Sequence, residues 1–90
     1  MGHVEREKLK LLNRLKRIRG QIEAIERAVE NDNECARVLQ QATACRGAMD
    51  GFIAEVIEDH IRDRLLAAAD SDQAAKAAEE LIAIVHSYMT

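Results

Sequence analysis

Apolar residues recur at alternating intervals of four and three over two long stretches of this chain, and that spacing leaves few folds open to it. Leu11, Leu15, Ile18, Ile22, Ile25 and Val29 form the first run. Cys35, Val38, Ala42, Cys45, Met49, Phe52 and Val56 form the second, and His60 falls on the same face four residues later. A heptad period is the pattern of helices packed lengthwise on other helices. Proline, which would break such runs, is absent from all 90 residues, and one Phe and one Tyr are the only aromatics. Abundant Ala, Leu, Ile, Glu, Lys and Arg favour helix over sheet. The chain therefore reads as all-α, a single domain over residues 1–90.

Three helices are predicted, over about residues 5–30, 34–66 and 73–88. "ENDN" at 30–33 separates the first two, because Asn and Asp bond their own backbone and tolerate left-handed conformations. Asn33 suits the N-cap of the second helix. "ADSD" at 69–72 ends the second pattern, and Asp70, Ser71 or Asp72 can cap the third helix. Leu81, Ile84, Val85 and Tyr88 form that helix's apolar stripe. Gly20 interrupts the first stripe, which implies a closely approaching neighbour or a slight bend. A second helix of this length would span about 50 Å. That exceeds what a compact monomer of this size can cover, so the chain is expected to assemble.

The net charge of −3 hides an asymmetry. Residues 1–20 hold seven basic against two acidic side chains, a net +5, while the other seventy hold six against fourteen, a net −8. A basic first helix on an acidic body implies a directed electrostatic surface. No stretch reaches the roughly 18 apolar residues of a membrane span, and "MGHVEREKLK" lacks a signal-peptide core. A cytoplasmic protein with reduced thiols is expected. Cys35 and Cys45 would lie about 15 Å apart along one helix, too far for a disulfide.

Cys35 is the residue with chemistry to explain. It sits near the start of its helix, where unpaired N–H groups favour the thiolate that binds metals and attacks carbon. Cys45, mid-helix on the same stripe, reads as packing. His60 would be about 37 Å from Cys35 along one helix, so the two cannot meet within a chain. Two second helices packed antiparallel about a two-fold axis would bring them together. The crossing would fall between residues 47 and 48, amid the small residues Ala44, Gly47, Ala48 and Gly51. A hairpin turning near residue 32 would bring His3 alongside His60, and the Gly2 amine with it once Met1 is removed. A thiolate, two imidazoles and an amine suit a borderline transition metal. They also place an amine near a thiolate, which suits capture of a small aldehyde.

With these residues in view, the chain resembles the small all-helical bacterial repressors that include the copper sensor CsoR, the nickel/cobalt sensor RcnR and the formaldehyde sensor FrmR. The resemblance rests on "RLKRIRGQIEAIERA" (14–28), "ECARVLQQ" (34–41), "RGAMDGFIAEV" (46–56) and "EDHIRD" (58–63). It implies a three-helix protomer, an antiparallel dimer through the second helix and a homotetramer built as a dimer of dimers. It implies double-stranded operator DNA as partner, with Arg14, Lys16, Arg17 and Arg46 as phosphate contacts, then Lys10 and Arg19. It maps the sensor positions onto His3, Cys35 and His60. The copper sensors place a second cysteine one turn after the histidine and the nickel/cobalt sensors a histidine; here that position is Arg64. The formaldehyde sensors carry proline at position 2, where this chain has Gly2.

The expected function is a repressor released by a small effector at an inter-subunit Cys/His site. Formaldehyde, captured by Gly2 and Cys35 with His3 and His60 assisting, is the leading effector, and no cofactor is required. Nickel, cobalt or zinc held by His3, Cys35 and His60 is the alternative, in a repressor of metal efflux genes. A reading of another class is a helical oligomeric interaction protein that binds no DNA. No phosphate loop or second nucleophile system suggests an enzyme.

Overall fold

The computed structural model describes the backbone of residues 2–89 and the side chains of residues 5–89. Three helices follow in order: α1, Gly2–Glu30; α2, Cys35–His60, extended by a π-helical turn, Ile61–Leu65; and α3, Ser71–Met89. Among the described residues there is no strand. No described helix is long and apolar enough to cross a membrane. By its contacts the chain divides into two compact units, Met1–Ile53 and Ala54–Thr90.

The first unit holds α1 and most of α2. The stripe on α1 divides into two seams. Ile18 is 3% exposed, and Leu11 and Ile25, seven residues either side, are half-buried. Ala28 is also buried. Ile22 and Val29 lie further round the helix and remain 47% and 58% exposed. A single neighbouring helix covers only one seam of a two-seam stripe. On α2 no residue is buried; Val38, Ala42, Cys45, Phe52 and Val56 are half-buried and Met49 is exposed. A Cβ placed on Gly20 would meet nothing within 4 Å among the described residues.

The α1–α2 turn ends α1 in a Schellman motif. Asp32 takes a left-handed φ of 54°. Its N–H donates to Val29 O at 3.1 Å, and the Asn33 N–H donates to Ala28 O at 2.9 Å. The first carbonyl of α2 to accept a helical bond is that of Glu34, from the Val38 N–H at 3.1 Å. Glu34 rather than Asn33 therefore occupies the cap position, and Cys35 is the first helical residue.

In the second unit, α2 gives way to the π turn, where the Leu66 N–H donates to Ile61 O at 2.8 Å, five residues back. The predicted α-helix through residue 66 thus ends at His60. The π turn packs on α3, whose Ala77 is 2% exposed. Leu81 and Ile84 of α3 are half-buried, while Val85 and Tyr88 are exposed. Of the three candidate caps for α3, Asp70 serves: its Oδ1 accepts from the Gln73 N–H at 2.9 Å. The Gln73 Oε1 in turn accepts from the Ala69 N–H at 3.0 Å. These two bonds resemble a capping box, with Gln73 reaching the residue before the cap, and begin α3 at residue 71, two residues before the prediction.

Asp70→Ala should lower stability by about 1 kcal/mol in urea unfolding. Asp32→Gly should raise it by up to about 1 kcal/mol, because the left-handed conformation costs a residue with a side chain more than it costs glycine.

Candidate functional site

Cys35, as the first residue of α2, is exposed, and its thiol is free. Cys45 is also free, and half-buried on the stripe as expected. Gly2 and His3 lie in the first turn of α1; the side chain of His3 lies outside the described residues. Among the described residues, no three His, Cys, Asp or Glu side chains gather to hold a metal.

His60, the last residue of α2, is half-buried, and its Nε2 lies 2.9 Å from the Ala77 carbonyl oxygen of α3. A carbonyl only accepts, so Nε2 carries the proton and donates. In the neutral ring the lone pair then belongs to Nδ1. The contact orients the imidazole, and Nδ1 is the atom left to bind a ligand or take a proton.

Arg64 does not stand as a loose cation beside His60. Its Nη2 donates to Glu80 Oε1 on α3 at 3.1 Å. His60 and Arg64 thus meet Ala77 and Glu80, which are one turn apart on α3. The π turn that follows His60 and contains Arg64 is a wider form of helix that recurs at functional sites. Neither Ala77 nor Glu80 was singled out from the sequence. The available signal was the matching four-residue and three-residue spacing of the two pairs.

The predicted DNA contacts separate by burial. Lys10, Lys16, Arg17, Arg19 and Arg46 are exposed. Arg14 is half-buried, with Nη1 3.1 Å from where a Cβ on Gly51 would lie. All six belong to the first unit. By sequence that unit holds ten basic and eight acidic residues, against three and eight in the second. Electrostatic attraction to a polyanion is therefore concentrated on α1 and the adjoining part of α2.

Residues 7–87 match the family described as metal-sensitive transcriptional repressors. The chain belongs to that family. It is 48% identical over 90 residues to the "uncharacterized protein in bioA 5′ region" of Serratia marcescens, with 99% of each chain covered. It is 35% identical to the transcriptional repressor RcnR of Citrobacter koseri, again over 99% of each. Among solved structures it resembles a variant of the formaldehyde-responsive regulator FrmR from Salmonella enterica serovar Typhimurium. That likeness has a TM-score of 0.86 and 39% identity, covering 92% of this chain and 94% of the other. The nickel-responsive regulator InrS is similar with a TM-score of 0.77 and 31% identity, covering 89% and 90%. The family and its FrmR/RcnR branch agree with the resemblance drawn from the sequence.

The two α3 contacts should differ in weight. The Arg64–Glu80 pair is solvated, with side chains 55% and 37% exposed, so Arg64→Ala should cost less than about 1 kcal/mol. His60→Ala removes a part-buried hydrogen bond, the Ala77 carbonyl keeping its helical donor within α3, and should cost about 1 kcal/mol. Thermal unfolding of the two variants at equal protein concentration would measure both.

Proposed function

We propose that this repressor is released from its operator by formaldehyde, captured between the amine of Gly2 and the thiol of Cys35 of the partner subunit. The observation that carries this choice of effector is the Arg64–Glu80 pair at 3.1 Å. One turn beyond His60 this chain holds a cation engaged by a carboxylate. A guanidinium offers a metal no lone pair and repels it. Capture of an aldehyde needs no donor there. The likeness to a formaldehyde-responsive regulator supports the same reading.

The chemistry balances without a further reagent. With Met1 removed, the Gly2 amine adds to formaldehyde and loses water to give an iminium. The Cys35 thiolate then attacks the iminium carbon, leaving a methylene between nitrogen and sulfur. The thiol proton and the amine proton leave with the carbonyl oxygen as one water. His60, oriented by Ala77, presents Nδ1 to carry a proton, and His3 assists. An exposed thiol at the first residue of α2 suits this attack.

The reading requires an antiparallel dimer through α2, which supplies Cys35 from the second copy, and a tetramer of two such dimers. Support comes from α2, a long helix without a buried residue, and from the exposed Ile22 and Val29 seam of α1. Lys10, Lys16, Arg17, Arg19 and Arg46 then contact duplex phosphates, together with Arg14. The methylene bridge ties the start of α1 to α2, the two helices that carry these cations. Release follows because the bridged state fits the duplex less well than the open one.

A second reading has nickel, cobalt or zinc as effector, held by Cys35, His60 and His3. It is favoured by the free Nδ1 of His60, a ligand atom already oriented, and by the likeness to a nickel-responsive regulator. Mass spectrometry separates the two. Low-dose formaldehyde should add about 12 Da, located in a peptide joining the N-terminus to Cys35, as one carbon in a methylene bridge requires. No adduct, together with a thiolate-to-metal absorption band lost in Cys35→Ala, would assign the site to a metal.

Two variants test the division of labour. Cys35→Ala should bind operator as the parent does but no longer release it on effector addition; normal release would remove Cys35 from the sensor. Arg17→Ala should weaken operator binding and lower the slope of log K against log salt by about 1. An unchanged slope would place Arg17 outside the interface.

A further inference from the structure

We propose that Gly51 is a positioning residue for DNA binding, because the side chain it lacks leaves the seat in which the guanidinium of Arg14 lies. The inference rests on the proposed reading that the basic face of the first unit grips the operator.

Three glycines occur among residues 5–89: Gly20, Gly47 and Gly51. None has a positive φ, so none is required by backbone conformation. Glycine inside a helix is destabilising relative to alanine. Each therefore needs another reason. For Gly20 and Gly47 the space where a Cβ would project is empty within 4 Å. Gly51 differs: its Cβ would lie 3.1 Å from Nη1 of Arg14. The two residues are 37 apart in sequence, on α1 and α2 of the same unit. The guanidinium thus lies over the bare backbone of α2.

Arg14 stands apart from the other proposed contacts in a way that fits this seat. Lys10, Lys16, Arg17, Arg19 and Arg46 are exposed, whereas Arg14 is half-buried. An exposed arginine samples many rotamers and must be ordered when it meets a phosphate. A guanidinium already held over Gly51 needs less ordering, and its fork of N–H groups offers donors on more than one edge. Arg14 would contribute direction as well as charge, and Gly51 sets that direction. Alanine at 51 would force the guanidinium to shift by a few tenths of an ångström, and the γ-carbons of valine would fill the seat.

The test is a thermodynamic cycle on the full-length protein with an operator duplex, read over a range of salt concentrations. Thermal unfolding and size-exclusion light scattering would be run beside it. Arg14→Ala should reduce the salt slope by about 1. Gly51→Ala should keep the parent assembly and an equal or higher melting temperature, yet bind operator about threefold more weakly, as a misdirected phosphate contact does. Gly51→Val should approach the loss of Arg14→Ala. In the Arg14→Ala background, Gly51→Ala should have no further effect on the operator, the signature of two residues acting through one contact. If Arg14→Ala leaves affinity and slope unchanged, the reading of Arg14 as a phosphate contact fails. If Arg14→Ala weakens binding but Gly51→Ala and Gly51→Val do not, or if their effects add in the double variant, Gly51 positions nothing.

Discussion

A chain of 90 residues that commits most of its length to two long helices cannot cover them by itself. Among the described residues only Ile18, Ala28 and Ala77 are buried, and two of these are alanines. With one Phe and one Tyr in the whole sequence, there are few large side chains to make a broad core. α2 has no buried residue, and two of the six residues of the α1 stripe, Ile22 and Val29, face solvent. Such a shortfall is common in small domains, and the dimer of the proposed reading would supply the missing apolar burial. Under the proposed reading this is also what makes the protein a switch. An effector site shared by two subunits senses the arrangement of those subunits, and that arrangement presents the cations.

The second unit shows how a helix end can be given a fixed chemistry. At His60 the regular α2 gives way to a π turn that packs on α3. Two contacts, from His60 to the Ala77 carbonyl and from Arg64 to the Glu80 carboxylate, tie that end to α3. The first contact chooses the tautomer of the imidazole, and the second occupies the guanidinium. Together they decide which atoms remain for a ligand. The small side chain of Ala77 allows the imidazole to approach the backbone of α3.

Periodicity made the helices and their order legible, because a heptad stripe can be satisfied only by lengthwise helix packing. It also marked Cys35 and His60 as residues of one face. It did not separate the two seams of α1, although the information was present: Leu11, Ile18 and Ile25 share one seam, and Leu15, Ile22 and Val29 the other. Arg14, three residues after Leu11 and four before Ile18, was placed on the inner face by the same arithmetic. Its charge drew the reading toward solvent instead. Element ends were less legible for a physical reason. Asp70, Ser71 and Asp72 can all cap α3, and the choice of Asp70 depends on where Gln73 reaches. The π turn had no local signal, because a bond spanning five residues is set by what packs against the turn.

If Cys35 is the sensor thiol, as proposed, its place at the first residue of α2 has a consequence for coupling. α2 also carries Arg46 and the Gly51 backbone against which Arg14 lies, and it is joined to α1 by a turn of four residues. That turn is fastened by the Schellman bonds around Asp32 and leaves little slack. In the proposed reading a covalent tie at Cys35 therefore acts on the helix that carries Arg46 and underlies Arg14, without any relay of distant side chains. Such an arrangement needs only that the tied and untied subunits differ in how they set α1 and α2 against a duplex. Because phosphate contacts are numerous and individually weak, a small common displacement spread over them lowers affinity more than the loss of one contact would.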